Sequence, residues 1–284
     1  VLFPAGNVGI GISNPQAKLD VIGDVRIYGL TVGLGGGAID GNTVFGKSAL
    51  FTNTGGFDNT AIGYKSLFAN TTGSDNTSVG FNSLGDNTTG SFNSAFGEFA
   101  LYYNLDGNRN TATGFSALYY NQGGADNTAN GYGALANSHG SNNTAVGSNS
   151  LSTNFIGYDN TAVGDSVLYS NDGHVNTAIG YKSLRSTTTG SFNVATGAYS
   201  LYSNISGGFN TAVGYNSLQM SIQSDNNTAI GNSSGKIGLL GIGSPGNNNT
   251  FLGAYSGANN PYSNSTSVGY GAVATANNQA MLGN

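Results

Sequence analysis

A five-residue motif, Asn-Thr-Ala-x-Gly, recurs along most of this 284-residue chain, usually at a step of 17 residues. Fourteen copies begin at residues 42, 59, 76, 93, 110, 127, 143, 160, 176, 193, 210, 227, 249 and 265. A unit this short cannot bury its own apolar side chains, so successive units must stack and share one core. The period therefore predicts a solenoid in which each repeat forms one coil.

Composition indicates that the coils are built from strands rather than helices. The chain contains 47 Gly and forty Asn but a single Glu, and 7% of its residues are charged, against about 25% in an average soluble domain. Gly and Asn disfavour helix interiors. With 38% hydrophobic residues, 16 Tyr and 14 Phe, the chain is also unlike a disordered linker. We predict an all-β fold, a parallel β-solenoid (β-roll) of about fourteen coils. At about 4.8 Å per coil it would be a rod on the order of 65 Å long.

Positions within a coil are counted from the motif Asn. Position nine is Leu in all eleven regular copies, which predicts a buried ladder that includes Leu67, Leu84, Leu101, Leu118, Leu135, Leu151, Leu168 and Leu184. Position one predicts a ladder of hydrogen-bonded amides, as at Asn59, Asn76, Asn93 and Asn110. Position four is apolar in eleven of fourteen copies, so we expect it to point inward together with the Thr at position two. Small residues at positions three and five leave room for close backbone approach.

Pattern changes divide the chain into three segments. Residues 1–41 are predicted to form an N-terminal β-hairpin or stem segment and a Gly-rich linker, with Leu19–Val21 and Val25–Ile27 as strands. Residues 42–235 are the regular β-roll repeats, and residues 236–284 are interrupted and degenerate terminal repeats. The first residue is Val1, which fits either a removed leader or a fragment. With no amphipathic capping helix, the coil edges are expected to need cover from more chain or from a partner.

Aromatic residues recur at positions six and ten and predict two surface stripes. Stacked Tyr rings offer a platform for sugar rings or, if they face a neighbouring chain, anchors of an interface, and we favour the interface. The binding candidates in the stripe at position ten are Tyr102, Tyr119, Tyr169 and Tyr202.

Few residues in the sequence could form a catalytic or metal-binding site. The two His residues, His139 and His174, fall in predicted surface loops. Glu98 paired with Asp165 or Asp86 is the best carboxylate pair for glycoside hydrolysis. Four Asp share one loop position and are the best candidates for a Ca²⁺ site, although they match no calcium-binding spacing: Asp58, Asp75, Asp126 and Asp159. We predict no enzymatic activity, no cofactor and no metal site.

Charge and hydropathy restrict the partners. Net charge is −5, and the eight Lys and Arg are scattered rather than clustered, so we expect no binding to nucleic acid. There is no run of 18 apolar residues, so we expect no membrane-spanning segment.

The recurring Asn-Thr-Ala-x-Gly-x-x-Ser-Leu, as at 59–67, 176–184 and 210–218, resembles the head repeats of YadA-like trimeric autotransporter adhesins. The similarity covers about residues 42–284. It implies a β-roll in which three chains pack side by side on a bacterial surface. Separately, residues 6–28 resemble the segment that precedes such repeats in bacterial surface fibres and phage tail fibres.

These features together predict a non-catalytic, extracellular structural or adhesive fibre, or an adhesin-head segment, located on a bacterial cell surface. The expected partners are copies of the same chain in a homotrimer and a cell-surface glycan or matrix protein. Two alternatives stay open. One is a carbohydrate-binding recognition module of a virion tail fibre, and the other is a subunit of a homopolymeric surface filament.

Overall fold

A computed structural model describes residues 7–237 and 244–283, and within them it confirms the all-β parallel solenoid. The strands in chain order are β1 (Val8–Ile10), β2 (Leu19–Val21), β3 (Val25–Ile27), β4 (Leu30–Gly33), β5 (Thr43–Lys47), β6 (Thr60–Ile62), β7 (Thr77–Val79), β8 (Ser94–Phe96), β9 (Thr111–Thr113), β10 (Thr128–Asn130), β11 (Asn137–Ser138), β12 (Thr144–Val146), β13 (Thr153–Asn154), β14 (Thr161–Val163), β15 (Thr177–Ile179), β16 (Val194–Thr196), β17 (Thr211–Val213), β18 (Thr228–Ile230), β19 (Lys236–Ile237), β20 (Thr250–Leu252), β21 (Gly257–Ala258), β22 (Thr266–Val268), β23 (Val273–Ala274) and β24 (Ala280–Leu282). A short 3₁₀ turn spans Gly36–Ala38.

One long parallel sheet runs along the rod and contains the motif strand of every coil. Neighbouring strands pair with each motif position beside its own copy, as in Thr60↔Thr77 and Ile62↔Val79. The 22-residue step does not shift this register, because β18 pairs with β20 at the same positions. The interruption predicted within residues 236–284 includes residues 238–243, which lie outside the described residues. Short strands on the opposite wall form a pair, β11 with β13, and a triplet, β19, β21 and β23.

The sheet extends further at its C-terminal end than the sequence pattern predicted. We expected the repeat to degrade from Ala272 onward. Instead β24 pairs in parallel with β22, with Ala280 beside Thr266. Gln279-Ala-Met-Leu-Gly283 therefore acts as a fifteenth motif strand in which Gln takes the place of Asn.

The N-terminal segment pairs differently from the simplest hairpin. β2 lies parallel to β1, whereas β3 forms an antiparallel hairpin with β4 through Tyr28 and Gly29, which both have positive φ. β4 then pairs antiparallel with β5, the motif strand of the first coil. The expectation that this edge of the solenoid lacks cover within the chain was therefore wrong, because β4 supplies its hydrogen-bonding partner.

The interior is filled from two sides of each coil. Leu at position nine is at most 1% exposed in all eleven regular coils, and the residue at position three, usually Ala, is equally buried. The ladder Leu residues adopt left-handed φ values of 45–52°. This conformation costs about 1–2 kcal/mol for a residue with a Cβ. Full burial of a Leu side chain gains about 1.5–3 kcal/mol, which offsets that cost.

Position four points away from the core, so the predicted inward orientation was wrong. At position four, Phe45, Ile62 and Ile179 are 51%, 38% and 41% exposed. By contrast Ala61, at position three, is fully buried. Positions two and four do share a face, as strand alternation requires, but that face is the outer one. The motif Asn decides the side, because its amide crosses the interior: Asn59 Nδ2 donates to Gly73 O at 2.9 Å.

Candidate functional site

Amides of the motif Asn form a continuous buried ladder along the rod. Asn76 Nδ2 donates to Asn59 Oδ1 at 3.1 Å, and the same oxygen accepts from the Asn76 backbone N–H at 3.1 Å. Asn93 and Asn110 repeat this arrangement one and two coils further on. Because every one of these amides is engaged inside the coil, they hold the stack in register and are not available to a ligand.

A second amide ladder runs through the interior at position twelve, and the sequence analysis missed it. Asn70 Nδ2 donates to Asn53 Oδ1 at 3.0 Å, and Asn87, Asn104 and Asn121 continue the series. The signal was present in the sequence, because Asn recurs at residues 53, 70, 87, 104, 121, 154, 171 and 204. Asn in a Gly-rich segment is also typical of turns, so this recurrence alone did not predict a buried ladder. Both ladders converge on one acceptor, since Gly73 O receives the amides of Asn59 and Asn70 at 2.9 Å each.

Three of the regular coils have no Asn at position twelve, and in one of them Ser138 Oγ still accepts from Asn154 Nδ2 at 3.2 Å. In the other two, Thr187 and Ser221 stand at position twelve, and their hydroxyl groups are buried without a hydrogen-bond partner. Asn204, in the coil between them, has an unpartnered Oδ1, because Ser221 in the next coil has no amide to donate to it. A buried acceptor or donor without a partner costs about 1–3 kcal/mol. These coils are therefore the weakest part of the ladder.

The two predicted aromatic stripes merge into one surface on the third to sixth coils. Phe99, at position seven, meets Phe81 and Phe115 of one stripe and Tyr102 and Tyr119 of the other edge to face, with centroids 5.4–6.2 Å apart. Including rings that contact these, we define the Phe99 cluster as Tyr64, Phe81, Phe99, Tyr102, Tyr103, Phe115, Tyr119, Tyr120 and Tyr132.

Ring geometry in the Phe99 cluster limits what it can bind. Tyr102 stacks on Tyr119 at 5.6 Å and 19°, and Tyr103 stacks on Tyr120 at 4.7 Å and 3°. Rings stacked along the rod cover one another's faces, so the cluster presents mainly edges and hydroxyl groups to solvent. Sugar rings pack on open aromatic faces. The Phe99 cluster is therefore better suited to joining coils, or to packing against protein, than to serving as a sugar platform.

Two phenols of the Phe99 cluster, Tyr119 and Tyr102, have pKa values raised above the ordinary value. Burial, together with the neighbouring Tyr103, Tyr120 and Tyr102, raises the pKa of Tyr119 to about 12. Burial also raises the pKa of Tyr102, and the carboxylate of Asp86 adds to this effect. These phenols therefore act as uncharged hydrogen-bonding groups, not as nucleophiles or general bases.

The other two candidate tyrosines belong to a separate group several coils further along the rod. Tyr202 meets Tyr199 at 5.6 Å and 63°, and Tyr199 meets Tyr181 edge to face at 5.3 Å. Tyr169 lies beneath the guanidinium of Arg185 at 5.3 Å. With Lys182, whose Nζ lies 4.7 Å from the Tyr181 ring centroid, these residues form what we call the Tyr199 cluster: Tyr169, Tyr181, Lys182, Arg185, Tyr199 and Tyr202.

On the outer face of the long sheet, positions two and four carry no charged residue in any of the fourteen motif copies; Lys47, at position six, ends strand β5 of the first coil. Position two is Thr in twelve of the copies, with Ser94 and Val194 as the exceptions. Position four contributes an apolar column that includes Phe45, Ile62, Phe96, Val146, Ile179, Val213, Ile230 and Leu252, each 36–51% exposed. We call positions two and four together the sheet face.

The remaining sequence candidates are spread over several coils. Glu98 and Asp165 both occupy position six but lie four coils apart, about 19 Å at the strand spacing, which is too far for a glycosidase pair. His174 stacks on Tyr158 at 4.1 Å, and His139 meets Phe155 edge to face. Asp126 makes a two-pronged ion pair with Arg109 at 2.6 and 2.7 Å. Within residues 7–237 and 244–283, no group of three or more His, Cys, Asp or Glu could hold a metal ion.

Comparison with known proteins adds no assignment. No protein-family model matches this chain, and a search of curated proteins finds no match. In the part of the chain that the structure describes, no helix has the length and apolar character needed to cross a membrane.

Proposed function

We propose that this chain is a non-catalytic structural segment of an extracellular adhesive fibre, in which three copies pack side by side through the sheet face. The observation that carries the proposal is the complete absence of charge from fourteen consecutive motif strands of that face. The cores of protein interfaces are depleted of charged residues, whereas soluble surfaces are normally rich in them.

The apolar column is too continuous for an ordinary free surface. Position four places Phe, Ile, Val or Leu on most coils, with Thr rows beside it. With fourteen strands spaced about 4.8 Å and about 10 Å of exposed strand on each, the face has an area on the order of 650 Å². Position four supplies about half of this area, and an exposed apolar patch of a few hundred Å² on a soluble protein is often a binding site. The area also approaches the roughly 800 Å² per partner of a standard interface.

A second copy of the chain is the occupant that fits this face best. The face is flat and periodic, and its repeat equals the strand spacing, so an identical solenoid matches it coil by coil. The resemblance to adhesin head repeats supports three copies and an extracellular surface location. In such a fibre the charged and aromatic positions outside the sheet face remain exposed on the fibre surface, where they can bind a partner.

Replacing Val146 with Asp tests the packing. Val146 lies at position four and is 38% exposed in the single chain, so the solenoid should fold with Asp at this site. In the assembly the carboxylate would be buried without a partner, which strongly disfavours association. Ser148→Asp is the matched control, because position six lies outside the face and carries an acid naturally in Glu98 and Asp165.

Sedimentation equilibrium gives the readout, and circular dichroism checks that each variant is folded. We expect the wild type and Ser148→Asp to have three times the 28.7 kDa chain mass and Val146→Asp to sediment as a folded monomer. A wild type that remains monomeric at all concentrations would overturn the proposal. So would a Val146→Asp variant that associates as strongly as the wild type.

A further inference from the structure

Arg185 in the Tyr199 cluster is a cation that has no anionic partner among residues 7–237 and 244–283. Its guanidinium lies over the Tyr169 ring, and its Nε is buried with no hydrogen-bond acceptor. No ion pair joins Arg185 to a carboxylate of the described residues. An unsatisfied buried N–H group costs free energy, and an added acceptor removes that cost.

Lys182 places a second positive charge beside Arg185. The two residues occupy positions seven and ten of the same coil, and Lys182 has left-handed backbone geometry, with φ 54°. Lys182 lies over the Tyr181 ring, and its hydrogen bond to that phenol lowers the pKa of Tyr181. The nearest acidic neighbour on the previous coil, Asp165, accepts a hydrogen bond from Ser166 and forms no ion pair. The result is a local cation pair on a chain whose net charge is −5.

Rings around this cation pair are arranged differently from those of the Phe99 cluster. Tyr199 meets Tyr181, Tyr202 and Tyr215 at interplanar angles of 89°, 63° and 88°, and none of these four rings belongs to a parallel stack among the described residues. No parallel ring therefore covers their faces, although Lys182 lies over the Tyr181 ring. Tyr181 and Tyr215 are also 42% and 50% exposed.

We infer that the Tyr199 cluster is a binding site for an acidic saccharide, with the sugar carboxylate held by Arg185 and Lys182. The guanidinium and the ammonium donate charge-assisted hydrogen bonds to the carboxylate oxygens, and drawing Arg185 toward them also gives its Nε an acceptor. The Tyr rings contact the apolar C–H face of the sugar, and their phenols bond its hydroxyl groups. An acidic peptide would use the two cations but would leave the open rings without a role.

This inference rests on the proposed adhesive function and names one class of ligand for it. It does not require the chain to self-associate. Positions seven and ten lie beyond the strand, at the turn that contains Leu184, and not on the sheet face. The Val146→Asp variant separates the two proposals: if it is monomeric and still binds the sugar, the site stands on its own.

Calorimetric titration with trigalacturonic acid, at low salt because the contact is electrostatic, tests the site. The fully methyl-esterified trisaccharide has the same rings without the charge and is the matched ligand control. Arg185→Gln and Lys182→Gln remove one cation each. Lys65→Gln is the matched protein control, because Lys65 also occupies position seven and lies over aromatic rings. Position ten of its coil is Phe68, whereas position ten of the Lys182 coil is Arg185.

We expect the wild type to bind the acid and to bind the ester at least about tenfold more weakly, with a loss of about tenfold for each of the two cation variants. Lys65→Gln should bind as the wild type does. The absence of binding to the acid, or an unchanged affinity in Arg185→Gln, would overturn the inference. Equal or tighter binding of hexaglutamate would also overturn it, because the ligand class would then be an acidic peptide.

Discussion

Asn87 Nδ2 donates a 2.8 Å hydrogen bond to Asn70 Oδ1 in the preceding coil, and both amides are fully buried. The same Nδ2 donates to Gly90 O at 3.0 Å, so one amide ties its own coil together and joins it to the next. Interior polar groups of this kind stabilise only when each one has its partners, which makes the ladder a sensitive test of the structure.

Thr187→Asn should repair the interrupted second ladder and stabilise the protein. The new Nδ2 can donate to Gly190 O, as Asn87 does to Gly90 O, and its Oδ1 can accept from Asn204 Nδ2. We expect a gain of about 1 kcal/mol in the free energy of unfolding, measured by denaturant titration. Thr189→Asn, two residues later at an exposed position, should change nothing. A loss of stability in Thr187→Asn would show that position twelve is packed differently.

Gly97→Ala should be strongly destabilising because adjacent coils touch at position five. Gly97 has φ +136°, and a Cβ there would lie 2.7 Å from Gly114 O in the next coil. We expect a cost of about 2–4 kcal/mol. Gly23→Ala is the control, since Gly23 also has positive φ, +103°, but has nothing within 4 Å of an added Cβ. If the two variants lose the same stability, backbone strain alone explains why Gly recurs at position five of every coil.

Leu135→Asp should abolish or severely weaken folding. Leu135 is 0% exposed in the middle of the Leu ladder, so the variant buries a charge among apolar side chains. We expect a loss of more than about 4 kcal/mol, seen as a large fall in Tm or as no cooperative transition. Tyr132→Asp, on the same coil at a side chain that is 59% exposed, should unfold close to the wild-type temperature. Equal Tm values for wild type and Leu135→Asp would contradict the inward assignment.

Tyr119→Phe should make the protein less sensitive to alkali. The folded-state pKa of Tyr119 is about 12, above the ordinary value of 10.0. Between these values the unfolded chain has lost the phenolic proton while the folded chain retains it, so stability falls as pH rises from 10 toward 12. The Tm of Tyr119→Phe should fall less over that window than the wild-type Tm, with equal slopes below pH 10. Identical slopes throughout would show that Tyr119 titrates normally.

Periodicity made the solenoid predictable, because a repeat that cannot bury its own Leu or Ala has to stack on its neighbours. Alternation alone did not reveal which side of the strand faces the core. We placed the apolar position four inside, but the amide of Asn59 reaches across the interior to Gly73, and that contact places positions one and three of the strand inside. Hydrophobicity at position four was thus a property of the outer sheet face.

Prediction of the candidate sites failed where a single residue departs from the repeat. Position seven varies between coils, so Phe99 was not expected to join the two aromatic stripes. The second Asn ladder was overlooked because Asn in a Gly-rich segment is also typical of turns. The cation pair was missed for a related reason: Lys182 and Arg185 looked like scattered charges until the coil placed them beside one another.

A cysteine cross-link across the sheet face tests the central claim most directly, because the chain has no Cys of its own. Val163→Cys places one thiol at position four, and Asp165→Cys places one two residues later, outside the face. Under mild oxidation we predict interchain disulfides in Val163→Cys and none in Asp165→Cys, read as covalent dimers on a denaturing gel. Packing of the chains through the sheet face is contradicted if Val163→Cys stays uncrosslinked, or if both variants crosslink equally.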